Sequence, residues 1–93
     1  MQTIELTVRN PSGLHARPLA QFVKAVATFH SKVRVENVTL SKGPSDGRSM
    51  LGLLGCGVQK GHVIRLTIEG EDEQAAAAAL SDLVASGLGE AVD

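Results

Sequence analysis

Residues 3–29, TIELTVRNPSGLHARPLAQFVKAVATF, change period halfway along, and that change decides the fold. Ile4, Leu6 and Val8 alternate with Thr3, Glu5, Thr7 and Arg9, the two-residue period of a strand with one buried face. Asn10-Pro11-Ser12-Gly13 breaks the strand. From Ala16 to Phe29 the apolar residues Leu19, Phe22, Val23, Val26 and Phe29 recur three and four apart, the pattern of an amphipathic helix with Lys24 on its wet face. Pro18 falls in the first turn, where a missing N–H costs nothing.

Downstream, Val33 and Val35 restart the alternation, but Val38 and Leu40 fall out of phase with them. A bulge or turn at Glu36-Asn37 is therefore expected inside a strand running to about Leu40. Ser41 to Gly47 holds two glycines and Pro44 and reads as a loop leading into a very short strand. Ser49 to Leu54 allows one or two helical turns, limited by Gly52, Gly55 and Gly57. His62 to Glu69 alternates again through Val63/Ile64, Leu66 and Ile68. Glu71-Asp72-Glu73 then opens a helix over Ala75 to Ala79, with Ala76, Leu80, Leu83 and Val84 as its buried stripe and the acids at the favourable end of its dipole. The order β-α-β-β-α-β-α predicts an α+β open-faced sandwich: a four-stranded antiparallel sheet covered on one face by three helices.

Composition narrows the function. The chain has 93 residues and a net charge of −1, enough for one domain and too little positive charge to bind nucleic acid by bulk electrostatics. Its two aromatic residues, Phe22 and Phe29, build neither an aromatic cage nor a base-stacking surface. The single cysteine, Cys56, excludes an internal disulfide framework, fits a reducing compartment and reads as a small buried apolar residue. No apolar run approaches the roughly 18 residues of a membrane span and none resembles a signal peptide, so the expected location is the cytoplasm. The charge is unevenly spread: residues 1–65 carry all nine Lys/Arg and three acids, net +6, whereas residues 66–93 carry seven acids and no base.

Gly13-Leu14-His15-Ala16-Arg17-Pro18 places a histidine just before a helix start and an arginine in its first turn. The first-turn N–H groups are unpaired and the dipole is positive there, so an anion is held and a neutral, nucleophilic imidazole is favoured. Arg17 adds planar, permanently charged donors for phosphoryl oxygens. The pair describes a phosphohistidine site rather than a metal site, since neither His30 nor His62 nor any cysteine stands at ligand spacing; no metal or cofactor is expected. A histidine at a helix start also occurs as a cap or a plain surface residue, and the pattern alone leaves both readings open.

The segment GLHARP and the helix after it resemble the active-site signature of the HPr family, the histidine phosphocarriers of the bacterial phosphoenolpyruvate:sugar phosphotransferase system. Arg48 to Leu54, the turn Gly57 to Gly61 and the helix entry Glu69 to Glu73 are similar to the same family in the same order, so the likeness spans essentially the whole chain. It implies that His15 accepts a phosphoryl group at ring Nδ1 from phosphorylated enzyme I and passes it to a sugar-specific enzyme IIA domain. Arg17 and the backbone N–H groups of Ala16 and Arg17 would stabilise the transferring group, making the protein a monomeric carrier rather than an enzyme. Ser49 aligns with the family's regulatory serine, the target of HPr kinase in some bacteria; it also reads as a helix N-cap. Met50, Leu51 and Leu54 cannot all face inward on so short a helix, so partner docking is expected on them, with Lys24 and Arg48 among a basic rim that also includes Arg17, Lys42 and Lys60.

Two stretches depart from the free-standing form. Asn37 to Gly47 looks more like HPr-like domains inside fused proteins, either multiphosphoryl transfer proteins or the phosphotransfer subunit of dihydroxyacetone kinase. Residues 1–88 are read as the domain and 89–93 as a flexible tail or interdomain junction. A regulatory binding module on the same fold is the alternative, though it would have no need of His15 with Arg17. The charge split predicts that phosphoryl exchange with acidic partners slows as salt is raised; rates unchanged by salt would show that the split has no role in encounter.

Overall fold

The computed structural model describes residues 1–92. Four strands and three helices follow one another as β1 (Gln2–Thr7), α1 (Ala16–Ala27), β2 (Lys32–Asn37), β3 (Lys42–Asp46), α2 (Met50–Gly55), β4 (Val63–Glu69) and α3 (Glu73–Ala85). The strands form one antiparallel sheet in the order β1-β4-β2-β3, so the two central strands are the ones with the most regular apolar alternation. Val33 and Val35 of β2 and Ile64, Leu66 and Ile68 of β4 are buried on one face, where they meet Leu19, Phe22 and Val26 of α1 and Ala76, Leu80 and Val84 of α3. This is the open-faced sandwich that the periodicity predicts.

The other face of the sheet is polar and built in rows. Glu5, Arg65 and Glu36 lie side by side across β1, β4 and β2, with Arg65 bonded to Glu5 at 2.8 Å and to Glu36 at 3.0 Å. Such exposed pairs contribute little stability each, but they neutralise one of the nine bases and mark this face as solvated.

The middle of the chain differs from expectation. β2 stops at Asn37 instead of running to Leu40, and its register against β3 slips between Val35 and Asn37. The cause is a buried side chain: Asn37 Oδ1 accepts from Leu40 N at 3.1 Å and Nδ2 donates to Cys56 O at 2.9 Å, so the asparagine caps a turn over Val38–Ser41. The segment read as a loop is then a full edge strand, β3, and Pro44, preceded by a cis peptide, is tolerated because an outer strand has no ladder partner on one side. Helix α1 ends two residues early, at Ala27, as Thr28 N and Phe29 N turn back to Ala25 O and Val26 O.

Two cross-links fasten the helical layer. The Asp72 carboxylate accepts from His30 N at 2.8 Å, Ser31 N at 2.9 Å and the Ser31 hydroxyl, joining the α1–β2 turn to the start of α3. These bonds, the Ser31 hydroxyl first, hold Asp72 below its ordinary carboxylate value. The Arg48 guanidinium donates to Phe29 O at 2.6 Å, Ser31 O at 3.2 Å and Val26 O at 3.5 Å, placing a cation on the carbonyls left over at the end of α1.

Phe22 is the largest fully buried side chain and sits between sheet and helices. Phe22→Ala is expected to lower stability by about 3–5 kcal/mol, read from the midpoint of urea unfolding at constant m-value.

Candidate functional site

The site is made where β1 hands over to α1. Gly13 takes φ +60°, and a Cβ there would stand 2.4 Å from Val58 O and 2.7 Å from Gln59 Cα, so only glycine fits. Its close approach lets Leu14 N donate to Val58 O at 3.1 Å and seats the Leu14 side chain wholly in the core. With Leu14 pointing in, His15 is turned out. Its backbone is extended (φ −135°, ψ 157°), it occupies the N-cap position of α1, and it is half-buried. Among the described residues nothing hydrogen-bonds its ring.

The residue after it is strained. Ala16 adopts φ +49°, a left-handed conformation that a residue with a side chain enters only when its surroundings enforce it. The strain turns the chain into the helix, and Leu19 N makes the first helical bond to His15 O at 3.4 Å. Pro18 has no N–H, and the amides of Ala16 and Arg17 have no acceptor among the described residues. Two free donors at the positive end of a 12-residue helix, beside an imidazole with no internal partner, form a receptacle for a tetrahedral anion. Arg17 is exposed. The clefts between β2 and β3 and between α1 and α3 are lined by other residues.

The other expected residues fall into separate groups. Ser49 caps α2, its Oγ accepting from Gly52 N at 3.0 Å. Leu53 is fully buried under α2, while Met50, Leu51 and Leu54 are exposed to 44%, 83% and 43%, with Leu40 beside them in exposure at 44%. Lys24 is exposed and lines the groove between α1 and α3 with Phe29 and Leu83. Arg48 has its guanidinium engaged by the three carbonyls of the α1–β2 turn.

The sequence reading missed Asn10 and Glu90. Asn10 is fully buried and its Nδ2 donates both to Gly13 O at 2.9 Å and to Glu90 Oε1 at 3.0 Å. Glu90 Oε1 also accepts from Ser12 N at 3.0 Å, and Oε2 from Ser12 Oγ at 2.8 Å. Contacts from the segment after α3 thus reach two residues past the boundary expected at residue 88. Asn10-Pro11-Ser12-Gly13 looks like any turn, and nothing local marks an acid 80 residues away as its partner.

An outward histidine beside two unpaired helix amides is the arrangement expected of the class of phosphoryl carriers. Residues 2–86 match the family model described as the PTS HPr component phosphorylation site. The chain is 43% identical over 86 residues to a multiphosphoryl transfer protein of Salmonella typhimurium, covering 92% of this chain and 23% of that protein. It is 44% identical over 81 residues to the phosphocarrier protein HPr of Xylella fastidiosa, covering 85% of each. A crystal structure of HPr from Thermoanaerobacter tengcongensis superposes with a TM-score of 0.91 at 37% identity, covering 99% of this chain and 100% of that one. A second structure from that organism, described as an HPr dimer, gives 0.74 at 38% identity, covering 97% and 100%. The chain belongs to the HPr family, the phosphocarriers of the phosphotransferase system. It spans about a quarter of the length of the multiphosphoryl transfer protein it matches.

The donors around Glu90, Asn10 first and Ser12 next, hold its carboxyl below the ordinary 4.5. Because the folded value is depressed, the contribution of these bonds is complete above that ordinary value and is lost as pH falls through the lower folded value. The Ser12 amide resonance is expected to stay constant from neutral pH down to the ordinary glutamate range and to move only below it.

Proposed function

We propose that this chain accepts a phosphoryl group on His15 from phosphorylated enzyme I and passes it to a sugar-specific enzyme IIA domain in bacterial sugar uptake. The observation that carries this reading is the outward His15 ring beside the unpaired amides of Ala16 and Arg17. In the transfer, ring Nδ1 attacks phosphorus as the bond from phosphorus to the donor breaks; the phosphoryl oxygens carry the developing charge onto the two amides and the Arg17 guanidinium. The second transfer reverses these roles. Little covalent chemistry is required of the carrier, so positioning and charge stabilisation suffice.

Docking rests on the exposed leucines and methionine of α2, an apolar centre that partner surfaces bury on contact. Arg17 and Lys24 supply positive charge for acidic partners. Arg48 is exposed, and its three carbonyl acceptors on the α1–β2 turn leave its charge intact, so it adds to that basic rim. A phosphoryl group on Ser49, added by HPr kinase, would occupy the start of α2 and set negative charge next to Met50 and Leu51, weakening docking. The chain acts in the cytoplasm as a monomer. Among the described residues no helix is long and apolar enough to cross a membrane.

Incubation with enzyme I and phosphoenolpyruvate is expected to add one phosphate by intact mass, acid-labile and absent from His15→Ala. Acid-labile phosphate persisting in His15→Ala would overturn the assignment. Arg17→Ala is expected to slow transfer about tenfold or more, the loss of one charge-assisted donor worth about 1.5–3 kcal/mol.

A further inference from the structure

We propose that Glu90 is a positioning residue for phosphoryl transfer at His15, acting through Asn10 and Ser12 on the peptide that precedes the histidine. The inference rests on the reading of His15 as the phosphoryl acceptor and adds a part to that site. The model of the family ends at residue 86, so the segment that carries Glu90 lies outside the matched stretch.

That segment is built to deliver a carboxylate. After α3, Gly87 N donates to Val84 O at 3.1 Å and Leu88 N to Leu83 O at 3.0 Å, the paired bonds of a Schellman ending. Gly87, Leu88 and Gly89 then take φ +94°, +54° and +89°, three consecutive left-handed residues. Leu88 is held there by complete burial of its side chain, and a Cβ on Gly87 would meet Glu90 O at 2.2 Å. Glu90 N closes the turn on Gly87 O at 2.9 Å. A chain leaving the domain as a loose tail has no use for a buried anchor and a turn of this tightness.

The carboxylate lands on the loop before His15 and satisfies three of its donors: Asn10 Nδ2, Ser12 N and Ser12 Oγ. Bonds to an ionised acceptor are roughly twice as strong as neutral ones. Asn10 passes the restraint on, because its second Nδ2 hydrogen goes to Gly13 O at 2.9 Å while Leu14 N, on the other side of the same peptide, goes to Val58 O at 3.1 Å. The Gly13–Leu14 peptide is thus gripped at its carbonyl and its amide, one residue from the histidine. The grip matters because Ala16, one residue after His15, is strained, and a strained residue keeps its conformation only while its neighbours are fixed.

The test compares wild type, Glu90→Ala and Glu90→Gln in phosphoryl transfer from phosphorylated enzyme I, with amide hydrogen exchange of Leu14 as a second reading. Glu90→Ala is expected to raise Leu14 exchange and to cut kcat about five- to tenfold with KM within about twofold, since geometry and not docking is disturbed. Glu90→Gln, which keeps one acceptor oxygen, should fall between. An unchanged kcat, a rise in KM alone, an unchanged Leu14 exchange rate, or a slowing that vanishes when rates are expressed per folded molecule overturns the proposal. A wild-type chain that takes up no phosphate on His15 instead overturns the carrier reading itself, before any Glu90 variant is measured.

Discussion

The contact between Gly13 and the carbonyl of Val58 is the constraint on which the site depends. At this approach there is no volume for a side chain on residue 13, and the backbone adopts the left-handed conformation that glycine enters without penalty. Because the peptide lies against β4's leading turn, Leu14 drops into the core and His15 is forced to the outside. The next residue, Ala16, must bend left-handed for α1 to begin. One tight approach therefore sets the direction of the His15 ring, the start of the helix and the freedom of its first amides.

The rest of the fold holds that arrangement still while leaving it open. The apolar faces of β2 and β4 carry α1 through Phe22 and Val26, so the helix axis and its dipole are fixed by the core rather than by the exposed end. At the far end of α1 the carbonyls are answered by Arg48, and the turn that follows is tied to α3 by Asp72. Both cross-links join polar groups that would otherwise be left at a partly buried helix end, where an unmade bond is costly. What the fold orients at the head of α1 is one outward ring and two unpaired amides.

Legibility from the sequence varied with the range of the interaction involved. The strand-to-helix change over residues 3–29, the alternation of β4 and the alanine-rich α3 are carried by neighbouring residues and reappear in the structure with boundaries shifted by a few positions. The out-of-phase Val38 and Leu40 signalled a defect near Asn37, and the defect is there, but its nature was hidden. Only a buried asparagine bonded to Cys56, from another part of the chain, explains why the strand ends and a turn begins. Arg48 shows the same limit: the sequence reads it as one more cation of a docking rim, and only the three-dimensional structure shows that its guanidinium also bonds three carbonyls of the α1–β2 turn.

By itself the sequence determined the α+β class, the order of elements, the amphipathic faces and the position of His15 and Arg17 at the head of α1. Those properties follow from periodicity and from motifs only a few residues long, within which bond geometry leaves few choices. Tertiary structure alone decided that Leu53 is buried and Leu51 exposed, that Arg48 is anchored, and that Glu90 reaches Asn10 and Ser12 across a separation of 78 to 80 residues. The physical reason is that such contacts depend on where two distant turns land after the core has packed. No local pattern of residues encodes that meeting point.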